Sequence, residues 1–333
     1  MDERENALRI IRFNSPERVA TRPPLYEIRY YGANHEGFEG GSDDSPVGSR
    51  WFDVWGTGWH KVRAGVMGLP EVTPLARIDS LRQYDWPNPD DERICGNIYR
   101  SADAFPGGDR FLAGSHRDTL WEKAYMLVGM ENMMVYFLKE PGFAREVLHR
   151  IMEFQLGIAG HYVRLGVEFA QLGDDLGAQG GPLLGPRIVD EFLVPEYERL
   201  FRFYRERGVL IGFHSCGAVE SAIETFVQLG VDVLNPVQAT ANDLDGIRSR
   251  TQGRMALRGG VSSATIMDGP VERIAAEVRE RIWQLGRDGG YFCCQDQDLP
   301  FPKPHIDALH QAVEEYGQYP LHPPEEHSSV FHL

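Results

Sequence analysis

The carboxyl-terminal half of the chain alternates short apolar runs with amphipathic stretches of helical period. Residues 168–173 form one run, closed by Asp174 and Asp175, and a helical stretch covers 187–207. Residues 209–213 form the next run and lead into His214. A helix over 219–229 separates them from the run 231–237, which ends at Gln238. The run 255–260 precedes a helix over 270–285 with a proline at its start, and the run 290–294 precedes a helix over 305–316. Runs too apolar to expose either face, each followed by a helix, predict a parallel sheet with helical crossovers. Repetition of that unit favours an α/β fold of the (β/α)8 TIM-barrel type over a doubly wound sheet.

The amino-terminal half is less regular. Residues 25–31 and 110–114 read as earlier barrel strands, and 120–137 and 142–165 as helices on the outside. Trp51, Trp55 and Trp59 recur at helical spacing, but Gly56 and Gly58 interrupt them and predict a bent strand or hairpin. Stretches 37–48 and 86–91 are loops by composition. The expected organisation is an N-terminal arm over 1–20, one barrel domain over 21–320 and a polar C-terminal tail over 321–333.

The 333 residues are 42% hydrophobic and 25% charged, ordinary values for a globular chain with a large core. No stretch reaches the roughly 18 apolar residues of a membrane span, and the charged start lacks the apolar segment of a secretory signal, so the expected location is cytoplasmic. A net charge of −15 disfavours nucleic acid as a partner. Four cysteines, Cys95, Cys216, Cys293 and Cys294, are too few for a disulfide framework and read as small buried apolar groups or as ligands.

In a barrel, reactive groups gather at the carboxyl ends of the strands. That rule selects Asp174 and Asp175, His214 and Cys216, Asn235 and Gln238, and the segment from Cys294 to Asp296. In extended chain, His214 and Cys216 face one side, so imidazole and thiol share a cavity and together suit zinc; Cys293 or Cys294 is the candidate third ligand. The alternative makes Cys216 a small core residue and His214 a hydrogen-bonded one. Asp174 and Asp175 are candidate general acids or bases, or else anions at a helix N-terminus. Tyr26, Tyr30 and Tyr31 are core or pocket wall. His116, followed by Arg117 and Asp118, suits a site loop or a helix cap.

The ordered set Gly173-Asp174-Asp175-Leu176-Gly177, His214-Ser215-Cys216-Gly217, Val231-Asp232-Val233-Leu234-Asn235-Pro236-Val237-Gln238 and Gly290-Tyr291 resembles the uroporphyrinogen decarboxylase superfamily, over about residues 18–316. The resemblance implies a (β/α) barrel with its active site at the carboxyl face, often as a homodimer. Its decarboxylases hold substrate carboxylates with an arginine pair. Here Arg29 matches the first arginine and the second is missing, while Asp53 matches the catalytic aspartate, Tyr125 the substrate-binding tyrosine and Gln297 the late histidine. The corrinoid-dependent methyltransferases of the same superfamily use a zinc held by His-x-Cys and a later cysteine. His214 and Cys216 match the pair and Cys294 is nearest for the third, with Asp296 the alternative. No corrinoid-binding Asp-x-His-x-x-Gly motif is present, so any corrinoid belongs on a separate protein.

Three function classes follow. The first is zinc-dependent methyl transfer between a small methylated substrate and a corrinoid protein or thiol. Its metal is held by His214, Cys216 and Cys294, its catalytic groups are Asp174 and Asp175, and Tyr26, His116, Asn235, Gln238, Asp296 and Gln297 line the substrate site. The second is a metal-free decarboxylase using Arg29, Asp53 and Tyr125. The third is a barrel that binds a ligand without catalysis.

Overall fold

A computed structural model describes residues 1–324. Its parallel strands are β1 (Leu25–Arg29), β2 (Phe111–Asp118), β3 (Phe169–Gly173), β4 (Leu210–His214), β5 (Val233–Val237), β6 (Ala256–Val261) and β7 (Tyr291–Gln295). Hydrogen-bonded neighbours follow chain order through all seven strands. The expected runs fall on these strands within a residue or two; β2 runs further, to Asp118, than the apolar pattern suggested.

By internal contacts the chain divides into two units, and β4 belongs to both. The amino-terminal unit comprises Leu25–Asp175 and Leu184–Gly212. In it β1 pairs with β2 and β2 with β3, with an irregularity between Ser115 and Arg117, and Leu210 at the start of β4 donates to the Glu168 carbonyl. The stretch expected as one helix over 120–137 is two, Trp121–Val128 and Met130–Lys139, broken at Gly129. Gly129 has φ +90, a conformation that side-chain-bearing residues resist. Pro141 opens the long helix Pro141–Arg164, where its missing N–H costs nothing. The tryptophan segment is a hairpin as expected: Arg50–Phe52 pairs antiparallel with Gly58–His60, Trp51 opposite Trp59, inside a small four-stranded sheet. All three tryptophans are buried. At about 1.5–3 kcal/mol for each large apolar side chain withdrawn from water, they anchor this sheet.

The carboxyl-terminal unit comprises Met1–Pro24, Leu176–Leu183 and the chain from Phe213 onward. β5 pairs with β6 and β6 with β7, and the chain leaving β4 is tied to β5 by a bond from Ser215 N–H to the Asn235 carbonyl, 2.8 Å. Helices Val271–Gly286 and Lys303–Tyr316 pack on one another and on β7. The segment expected as an arm contains the helix Glu3–Ile11, capped by the Asp2 carboxylate on the Glu5 N–H. Beyond that helix, Ala20 bridges β7 by accepting from the Cys293 N–H, so the segment packs into this unit. The expected tail over 321–333 lies mostly outside the described residues.

Candidate metal centre

The last residue of β4 is His214, and the turn that follows carries Cys216. Their side chains meet, with His214 Nε2 3.2 Å from Cys216 Sγ. The other ring nitrogen, Nδ1, lies 3.2 Å from the Asn235 amide on β5. As placed, the Asn235 amide nitrogen donates to Nδ1; turning the amide over would put its oxygen on an Nδ1–H and free the Nε2 lone pair, the atom beside the thiol. On the far side of the thiol, Gln297 Nε2 donates to Cys216 Sγ at 3.3 Å.

The turn that positions Cys216 is pinned from several sides. Ser215, fully buried, accepts from the Leu176 N–H at 3.0 Å, and Gln238 accepts from the Gly217 N–H and, at 3.3 Å, from Gln179. Gly217 has φ +78, and a Cβ there would lie 2.4 Å from the Gly177 carbonyl carbon, so the backbone passes where only hydrogen fits. Two ligands of one tetrahedral zinc, at usual bond lengths, sit about 3.5 Å apart, close to the observed 3.2 Å. An imidazole and a thiolate at this separation are donors that suit zinc, so the residues fit the metal.

Cys294 lies outside this group, which corrects the expected ligand set. Its thiol donates to the Gln295 carbonyl at 3.3 Å, and burial pushes its pKa up.

Other expected site residues have structural employment. His116 is fully buried, with Nδ1 2.7 Å from Gln155 Oε1 and Nε2 2.5 Å from the Tyr204 hydroxyl, and burial lowers its pKa to about 4. It is a neutral core residue with no free nitrogen for substrate. Asp296 is buried and accepts from the Ser263 N–H and hydroxyl at the start of helix Ser263–Asp268, which leaves it a helix-anchoring role in place of the expected substrate contact. Tyr26 donates to the Ser101 carbonyl and packs on Phe105, so it faces the helical layer. Arg29 is ion-paired with Glu36 at 2.6 Å.

Asp174 and Asp53 are likewise occupied. Asp174 is fully buried and accepts from the Leu120 and Glu122 N–H groups, each at 2.8 Å, and from Tyr197 at 2.6 Å. It is an anchor at the N-terminus of helix Trp121–Val128, and burial raises its pKa to about 7. Asp53 is buried and accepts from the Trp55 N–H, the Thr57 N–H and Trp59 Nε1, with Lys123 Nζ 3.7 Å away; burial raises its pKa against these donors. Lys123, fully buried, also pairs with Asp118 at 3.7 Å and hydrogen-bonds Asn34.

Sequence reasoning missed Lys123 and Glu122. Glu122 accepts from the Tyr125 hydroxyl at 3.1 Å, and burial beside Asp118, Asp174 and Asp175 pushes its pKa up to about 9. The adjacent pair Glu122-Lys123 on a predicted outer helix reads as solvated surface, and only the packing of that helix puts both charges inside.

A methyltransferase from Methanosarcina mazei shares the fold with a TM-score of 0.70, at 17% identity over 95% of this chain and 99% of its own. A B12-independent methionine synthase from Shewanella sp. W3-18-1, solved with selenomethionine, matches at a TM-score of 0.34, with 10% identity over 61% of this chain and 60% of its own, too remote to carry an argument. No curated protein sequence matches the chain. The sequence profile of uroporphyrinogen decarboxylase (URO-D) matches residues 119–316, more than half the chain and the part that contains β3 to β7 and the His214–Cys216 pair. The chain belongs to the URO-D family and has its TIM-barrel-like α/β fold.

Proposed function

We propose that this protein is a zinc-dependent methyltransferase of the URO-D family, moving a methyl group between a small methylated substrate and a corrinoid carried on a separate protein, or a thiol. The observation that carries this reading is the 3.2 Å approach of His214 Nε2 to Cys216 Sγ at the carboxyl end of β4. The likeness in fold to a protein described as a methyltransferase supports it.

His214 and Cys216 would hold the metal, which would supply Lewis-acid activation of a thiol or a methoxy oxygen. Asn235 orients the imidazole, and Gln297 steadies the thiolate by donating to its sulfur. Gln238 and Ser215 hold the turn on which Cys216 sits, fixing the donors before substrate arrives.

The metal-free decarboxylase reading is weaker. Arg29 is neutralised by Glu36, and every oxygen of Asp53 already has a donor or Lys123 beside it. A barrel that only binds is weaker still, because donors this closely convergent serve a metal. Zinc-loaded protein given methylcobalamin and a small thiol should demethylate the cobalamin, seen in its visible spectrum. His214→Ala should lower the rate at least 100-fold. A rate unchanged by that substitution would remove the pair from the chemistry.

A further inference from the structure

His116, Arg117 and Asp118 stand together in the sequence, and the fold sends them different ways. His116 turns to Gln155 and Tyr204, and Asp118 bonds Asn34 and pairs with Lys123. Arg117 has no such scaffold role. Strand β2 slips its register between Ser115 and Arg117, and Arg117 itself has φ +50. Arginine resists that left-handed backbone, so the fold holds strain at the point where Arg117 is presented. Asn34, in the loop after β1, is left-handed too, at φ +45, and the next residue is His35. The two half-buried side chains meet, with Arg117 Nη2 donating to His35 Nδ1 at 3.4 Å. Burial, with the Arg117 charge beside it, lowers the His35 pKa to about 4, so the ring is neutral at pH 7 and accepts through Nδ1. Its proton then sits on Nε2, a second donor that no described residue engages. The neighbouring carboxylates are taken by other cations. Glu36 pairs with Arg29 at 2.6 Å, Asp43 with Lys61 at 3.3 Å and Asp118 with Lys123 at 3.7 Å. Among the described residues Arg117 has no carboxylate oxygen within 4.0 Å.

We propose that Arg117 and His35 form a binding site for one carboxylate of a small organic acid. Arg117 is the penultimate residue of β2 and His35 follows β1, so both stand on the carboxyl side of their strands, where barrels bind ligands. The guanidinium fork matches a carboxylate in two parallel N–H···O bonds, and the imidazole adds a neutral donor. One guanidinium and one neutral ring carry a single positive charge, which suits a carboxylate better than a phosphate dianion. The site is independent of the metal and holds whatever chemistry His214 and Cys216 perform.

The test is a magnetic-resonance titration of full-length protein with isotope-labelled histidines, using benzoate, its neutral isostere benzamide and phenyl phosphate, with and without a chelator. His35→Gln identifies the His35 ring signal. Benzoate should move that signal saturably in both conditions, phenyl phosphate should bind at least tenfold more weakly, and benzamide should leave the signal in place. Arg117→Asn, a residue that tolerates the left-handed backbone, should weaken benzoate at least tenfold. Arg117→Lys keeps the charge and loses the fork, and should weaken it by a smaller factor. If Arg117→Asn does not fold, calorimetry on His35→Gln should show weaker benzoate binding than in the wild type. A His35 signal that benzoate leaves unmoved, benzamide binding equal to benzoate, phenyl phosphate binding more tightly than benzoate, or affinity indifferent to the substitutions would overturn the site. A benzoate response that vanishes with the chelator would make the anion a metal ligand, overturning the site while leaving the metal reading intact. A response kept in protein that takes up no zinc would do the reverse.

Discussion

At the scale of single residues, burial decides which charged groups are chemistry and which are scaffold. Glu122 makes the point. With a pKa raised from the usual 4.5 to about 9, it keeps a proton in the folded protein that the unfolded chain releases at neutral pH. The folded state is therefore penalised progressively as pH rises from about 4.5 to about 9, and no further above that. Glu122→Gln is neutral throughout, so the variant should match the wild type near pH 5 and exceed it by about 1–3 kcal/mol near pH 8, a range that allows for the exposed fraction of the group. Urea denaturation of metal-free protein at the two pH values measures this. A stability difference that stays constant with pH would mean that Glu122 is ionised. Residue types alone do not carry this information. His116 and Asp296 look like site residues because histidine and aspartate at strand ends often are, and only their hydrogen-bond partners in the fold reveal the structural roles they fill.

Elements were legible in the sequence wherever one physical demand dominated. β3 to β7 are buried on both faces, and continuous apolar runs announce them. The hairpin at Trp51 and Trp59 was legible because two glycines contradict the helical spacing of the tryptophans. The break at Gly129 was not: both flanking helices keep the same apolar period, and the signal is one backbone angle. Nor was the amino-terminal segment, whose helix Glu3–Ile11 is polar on average and acquires its buried face only in the fold. The site was half legible. His214, Cys216, Asn235 and Gln238 were named from strand ends, whereas spacing along the chain does not identify a third ligand.

The turn at Cys216 yields a prediction at this scale. Gly217→Ala combines a left-handed backbone with a Cβ pressed on the backbone of Gly177 and Ala178, and should cost roughly 2–4 kcal/mol. Gly48→Ala, at φ +94 with nothing within 4 Å, carries the backbone strain without the clash and should cost about 1 kcal/mol. Equal losses for the two in urea denaturation would mean that the close approach at Gly217 relaxes freely.

For the molecule as a whole, the fold and the family are secure and the chemistry turns on the metal. The net charge of −15 gives no general attraction for anionic substrates. No helix among the described residues is long and apolar enough to cross a membrane. The family includes different chemistries on one scaffold, and the residues that bear on the choice here are the His214–Cys216 pair and the occupied Asp53.

The most direct test of the account is the metal content of the purified protein and its Cys216→Ser variant. The account predicts one zinc per chain in the wild type, less than a tenth of that in Cys216→Ser, and full zinc in Cys294→Ser. Zinc lost from Cys294→Ser and kept in Cys216→Ser, or no zinc in the wild type even after incubation with the metal, would contradict it.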